Sequence, residues 1–256
     1  MKKLLLEDLK RAFFSYPFLV AGCLCFGAGI YGFWPEWDLE DPLNGFAYLF
    51  RLAHSSGTTS ILSLLAPLLV TLPFVSSYYM DKKSGFFTYI LLRTQRKNYI
   101  LSKLLSNGLV GGSVLSIPLL MLLAVLIILY PASSRELVNP GGAFGGVYQQ
   151  SEVGYLLVMI GISFLFGATY ATLGLGVSAF VNNPYFAMIV PFFVYLVPGF
   201  VFPYLSLAYL EPSTTFDLSS NTLSTPVTVF TQLFLLLAIG VIAFILGVVK
   251  KSEEYV

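Results

Sequence analysis

Charge is what this chain has least of. Asp, Glu, Lys and Arg supply 11% of its 256 residues, against about a quarter in soluble domains. With 57% apolar residues and a mean hydropathy of +0.81, that scarcity excludes a soluble globular fold and implies an all-α integral membrane protein. Cysteine is nearly absent too. Cys23 and Cys25 are the only two, so a disulfide framework is excluded, and residues two apart lie about 200° apart on a helix, which prevents joint binding of one metal. There is a single histidine, His54, and no lysine follows a glycine. The chain therefore has no phosphate-binding loop of its own and no means of hydrolysing ATP unaided.

The few cations are grouped. Twelve of the fourteen Lys and Arg residues occupy the N-terminus (Lys2, Lys3, Lys10, Arg11), residues 81–103 (Lys82, Lys83, Arg93, Arg96, Lys97, Lys103) and the tail (Lys250, Lys251). The alternate connections hold only Arg51 and Arg135, with eight acids: Glu36, Asp38, Glu40, Asp41, Glu136, Glu152, Glu211 and Asp217. Lys and Arg mark cytoplasmic loops, so the split places both termini on the cytoplasmic side of the cell membrane and requires an even number of crossings. A near-neutral net charge of +1 offers nothing to nucleic acid.

About 20 apolar residues span the hydrocarbon layer. Tested for length, the uncharged runs predict six transmembrane helices over 17–34, 58–80, 104–130, 153–181, 184–203 and 227–249, in one transmembrane domain covering residues 1–256. The longest run is divided at Asn182-Asn183-Pro184, where polar side chains meet a helix-stopping proline. Tyr31, Trp34 and Trp37 suit an aromatic belt at the outer end of the first span. Residues 2–15 put Leu5, Leu6, Leu9 and Phe13 on one side and Lys3, Glu7, Lys10 and Arg11 on the other, the pattern of an interfacial helix.

Four local features carry a chemical reading and a plainer one. Val20-Ala21-Gly22-Cys23 resembles a lipidation box, but the apolar run continues through Leu24, Phe26 and Ile30, which favours an uncleaved span. The two cysteines read as small packing residues. His54-Ser55-Ser56 adjoins a base to hydroxyls, as a hydrolase requires; the plainer reading is a polar helix start that Ser55 or Ser56 caps. Ala168, Thr172 and Gly176, with Gly167 and Ala171 beside them, form a small-residue stripe for close helix packing, within the subunit or against a second copy.

No Asp, Glu, Lys or Arg falls within an expected span, although ion-coupled transporters need ionisable groups at that depth. Transport would then draw on a separate ATPase, docked on the one inner connection long enough to have structure, residues 81–103. That segment runs Asp81-Lys82-Lys83-Ser84-Gly85-Phe86-Phe87-Thr88-Tyr89-Ile90-Leu91-Leu92-Arg93-Thr94-Gln95-Arg96-Lys97, and ends Lys103-Leu104-Leu105. It resembles the loop of type-2 ABC exporter permeases: an acidic residue, a small residue with glycine, an amphipathic coupling helix, a basic cluster, then Lys-Leu-Leu. Asp81, Gly85, Leu91, Leu92, Arg96 and Lys103 carry the match. Asp81 stands where glutamate is commoner, and Thr94-Gln95 where such loops often have proline.

The resemblance implies a cytoplasmic coupling helix between spans 2 and 3, a permease dimer with a like or unlike second subunit, and two ABC ATPase subunits that bind ATP and Mg. It implies no cofactor and no catalysis on this chain. Asp81, Gly85, Phe86, Phe87, Ile90, Leu91, Arg93, Arg96, Lys97 and Lys103 are the docking candidates, with Phe86, Phe87, Ile90 and Leu91 as an apolar anchor patch. The other expectation for that patch is an interfacial helix whose cations meet anionic lipid. Ser60, Ser63, Thr71, Ser113, Ser116, Ser163, Thr169 and Tyr170 are the candidate pathway lining, uncharged and suited to an amphipathic peptide, lipid-linked molecule or drug. Two further readings stay open: a membrane-embedded hydrolase using His54 and a nearby serine, and a non-transporting sensor or immunity subunit.

Overall fold

The computed structural model describes residues 2–36, 45–56, 61–130 and 141–253, so Trp37 and Ser60 lie outside the described residues. The fold is all-helical, with no strand among the described residues. Five helices are long and apolar enough to cross a membrane: α2 (Tyr16–Phe33), α7 (Arg96–Leu129), α9 (Glu152–Ser178), α10 (Pro184–Val201) and α11 (Pro226–Glu253). This is the arrangement of a multi-pass membrane protein, and its surface agrees. Ile239, Ile242 and Leu246 on α11 are more than half exposed, as are Phe186 and Phe193 on α10.

Local chemistry places the helix ends. Ser15 accepts a hydrogen bond from the Phe18 amide at the start of α2, Ser151 does the same for Gly154 at α9, and Asn183 caps α10, whose first residue is Pro184. The expected break at Asn182-Asn183-Pro184 is therefore present. The N-terminal amphipathic segment forms α1 (Lys2–Phe13).

The expected span 58–80 is not one helix. It holds α4 (Leu62–Leu69), a run of turns, and α5 (Ser77–Lys83). Pro73 lies in the interruption, where it supplies no amide hydrogen and disfavours helix before it. Thr71 adapts to the break by donating to the carbonyls of Leu68 and Met188. The backbone of residues 52–56 forms a π turn (Leu52–Ser56) that follows the short α3 (Phe46–Arg51); the capping expected of Ser55 or Ser56 lies outside the described side chains.

Helices α7 and α9 form the centre of the bundle. A Cβ on Gly111 would lie 2.9 Å from the Gly167 carbonyl oxygen, and one on Gly176 would lie 2.7 Å from that of Gly240 on α11. The small-residue stripe of α9 is thus consumed within the chain. Gly167 and Ala171 meet α7, and Gly176 meets α11, so backbones approach without a hydrophobic driving force between them.

Candidate functional site

At the end of the bundle that gathers most cations, α5 leads through Gly85 into α6 (Phe86–Arg93). Gly85 has φ +73°, a left-handed conformation that glycine adopts without a Cβ penalty and that turns the chain sharply between two helices. At the other end of α6, Thr94 and Gln95 are extended, with ψ 139° and 138°. They stop α6 and start α7 without the proline common in such loops.

The expected anchor patch is divided by the fold. Phe87 and Ile90 are buried in a cluster with Tyr78, Tyr99, Leu175, Ala179, Phe244 and Val248. Tyr78 meets Phe87 edge-on at 5.6 Å, and Phe244 at 5.4 Å. Leu91 is half-buried against the same cluster. These side chains anchor α6 to its own bundle. The face left outward consists of Phe86, Tyr89 and Leu92, which are 49%, 69% and 79% exposed, spaced three apart on one side of the helix. Arg93 and Lys97 are exposed and Arg96 half-exposed beside them. Two hollows of about 380 Å³ flank Phe86 and Tyr89, one reaching Arg11 and Ser84, the other Leu4, Glu7 and Arg93.

Asp81 and Lys103 differ from the expectation more sharply. Both are 1% exposed, with Asp8 of α1 at 6%, so none of them offers a partner anything. Lys103 Nζ lies 2.9 Å from Asp8 Oδ1 and 2.8 Å from Asp81 Oδ2. Ser102 donates to the second Asp8 oxygen at 3.0 Å, Tyr99 donates to Asp81 Oδ2 at 3.1 Å, and Arg11 reaches Asp81 Oδ1 at 3.2 Å. The ammonium also sits 4.8 Å over the Phe74 ring. Two acids face two cations, and every carboxylate oxygen has a donor. Ion pairs out of water persist only under that condition.

Helix α7 begins at Arg96, eight residues before the expected span 104–130, so Lys103 lies about 10 Å along the helix from its start and immediately before that span. No spacing rule links Asp8 to Lys103 across 95 positions. The available signal is that Glu7 and Asp8 interrupt an otherwise basic N-terminal segment.

A second cluster forms at the opposite end. His54 Nε2 lies 2.8 Å from Ser163 Oγ, and both residues are fully buried. The imidazole stacks on Phe216 at 4.3 Å and 10° between planes, and Phe216 meets Phe166 at 5.1 Å. Burial lowers the His54 pKa from 6.5 to about 4, against a smaller upward pull from Asp217. Ser163 Oγ is also 2.8 Å from the Met159 carbonyl. A hydroxyl that gives its single proton to that carbonyl can only accept from an Nε2–H.

The described candidate pathway residues occupy two settings. Thr71, Ser163, Thr169 and Tyr170 are buried inside the bundle, and Tyr170 stacks on Phe166 at 4.3 Å. Ser63, Ser113 and Ser116 are half-buried. Of these only Ser113 lines the 780 Å³ groove between α2 and α7, whose other walls include Phe18, Phe26, Pro118 and Met121. Among the described residues no cluster of three or more His, Cys, Asp and Glu could hold a metal. No family model matches the chain, and no curated protein matches it.

Proposed function

We propose that this chain is the membrane-embedded permease subunit of an ATP-binding cassette exporter, working as a dimer with two separate ATPase subunits that bind ATP and Mg. In this reading the basic end faces the cytoplasm with both termini, in the cell membrane. The interrupted segment α4–α5 makes a sixth, discontinuous crossing, and α6 is the coupling helix. The cargo is amphipathic or apolar, in keeping with the uncharged walls of the bundle.

One observation carries the proposal. Helix α6 is bolted to its own bundle through Phe87 and Ile90 while Phe86, Tyr89 and Leu92 project outward between two hollows. A helix serving only as a membrane float would need its apolar face toward lipid; here apolar side chains occupy both faces, which suits contact with bundle and partner together. Truncating a buried aromatic anchor costs about 2 kcal/mol or more, roughly 30-fold in affinity. Phe86→Ala with Tyr89→Ala should therefore detach the ATPase subunit in affinity purification from native membranes while the permease still inserts. Retention of a full ATPase complement by that variant would refute the docking assignment.

The hydrolase reading has its own observation in the 2.8 Å contact of His54 with Ser163. With Ser163 Oγ donating to the Met159 carbonyl and no exposure at either His54 or Ser163, the contact favours a structural hydrogen bond over an activated nucleophile. Labelling of Ser163 by a serine-reactive fluorophosphonate, lost in His54→Ala, would reverse that preference.

A further inference from the structure

Helix α1 holds the bundle by two contacts of opposite polarity. Asp8 gives an acid to Lys103 on α7, and Arg11, nearly one turn later, gives a cation to Asp81 on α5. Asp81 and Asp8 share the same lysine. Sliding or rotating α1 by one residue would leave a buried charge unpaired, so the pattern defines a single seating for that helix. Apolar contacts extend the seating in both directions. Leu4 packs on the cluster that contains Phe87 and Ile90, while Ala12 packs with Phe74 and Val110. Helix α1 therefore packs at one end on the cluster in which α6 is anchored, lines a hollow together with α6, and meets the wall of α7 further along. An amphipathic helix that merely floats at the interface needs none of these buried ion pairs.

We propose that α1 is a working arm of the docking device, and that Lys103 is a positioning residue clamping α1, α5 and α7 into one body. Displacement of α6 is then delivered to the long helix α7 through the clamp and is not lost in the turn at Thr94-Gln95. This inference rests on the permease reading for its purpose, but the clamp itself is a property of the isolated chain.

The test uses the full-length protein with Cys23→Ala and Cys25→Ala, in lipid nanodiscs, and two pairs of spin labels. The first pair, at Lys3→Cys and Thr88→Cys, reads α1 against α6 without any partner. The parent should give one narrow distance and Asp8→Asn a broad distribution. A narrow distance in Asp8→Asn overturns the clamp. The second pair, at Thr88→Cys and Leu129→Cys, reads α6 against the far end of α7 in the complex purified with its ATPase, before and after ATP with Mg. The ATP-driven change should be lost in Asp8→Asn although the ATPase remains bound. Persistence of that change would make α1 a passive anchor and overturn the transmission role. If Asp8→Asn does not give monodisperse protein, Asp8→Glu replaces it. That variant keeps the charge but lengthens the arm by one methylene, and unchanged peaks in both pairs again overturn the proposal. Absence of any co-purifying ATPase would defeat the permease reading alone, since the first pair of labels does not involve it.

Discussion

The two ends of this bundle solve the same problem with opposite chemistry. Each must tie segments distant in sequence to a long central helix while excluding water. At the basic end the tie is ionic: Asp8, Asp81 and Lys103 are buried with full charges, and Arg11 closes the edge with a side chain 54% exposed. At the opposite end the tie is neutral, with His54 bonded to Ser163 and pressed flat on Phe216. The difference follows from what each cluster has within reach. Charges are tolerated out of water when every carboxylate oxygen has a donor, which the basic end supplies. At the imidazole, burial outweighs the pull of Asp217, so its uncharged form is the stable one.

Breaking the ionic tie should have the largest effect. Lys103→Met keeps the length of the apolar stem but leaves Asp8 and Asp81 close together without their shared cation. Removing one partner of a buried pair costs about 3–5 kcal/mol, so the detergent-solubilised variant should show a large fall in thermal midpoint or fail to remain monodisperse. Adding Asp8→Asn to Lys103→Met removes one of the stranded charges and should recover part of the loss. If Lys103→Met behaves like the parent, the cluster is hydrated and the contrast between the two ends disappears.

The ionic tie was also the part of the site least legible beforehand. The helix start marked by Asn182-Asn183-Pro184 agrees with the residues that mark it. The amphipathic segments α1 and α6 follow from periodicity, because a stripe of apolar residues is readable within a dozen positions. The second expected span is continuous in hydropathy but interrupted in its backbone, and Pro73 is the local signal of the interruption. Side-chain partnerships were out of reach for a different reason. Asp8 and Lys103 are 95 positions apart, His54 and Ser163 are 109 apart, and which faces meet is decided by glycine contacts such as Gly111 with Gly167. Phe87 illustrates the same limit. It is the immediate neighbour of the outward Phe86, and only the packed structure decides which of the two meets the bundle.

The neutral tie should respond to acid, and the sign follows from linkage. His54 has a folded-state pKa of about 4 against 6.5. Between those values the unfolded chain binds a proton that the folded chain does not, so stability falls as pH drops from 6.5 toward 4 and changes no further below that. At 1.36 kcal/mol per unit the complete effect is on the order of 3 kcal/mol. His54→Gln should flatten this part of the stability profile, measured as thermal midpoint against pH, while Lys103→Met leaves its slope in place. A slope that survives in His54→Gln would show that another group is titrating, and the opposite end would no longer count as neutral by design of its burial.

The smallest effect separates the edge of the ionic cluster from its centre. Arg11 contributes to the same network as Lys103, yet its side chain is half in water and its pairing distance to Asp81 is 3.2 Å. Exposed ion pairs are worth about 0–1 kcal/mol and weaken with salt. Asp81 loses only one of its donors in Arg11→Gln, because Lys103 and Tyr99 still serve its other oxygen. The variant should therefore lose a small amount of stability at low ionic strength, and the difference from the parent should shrink in high salt. Lys103→Met should keep its deficit under both conditions, since its partners are out of contact with the solvent ions. Equal salt sensitivity in the two variants would mean that water and ions reach Lys103, and that centre and edge are one solvated patch.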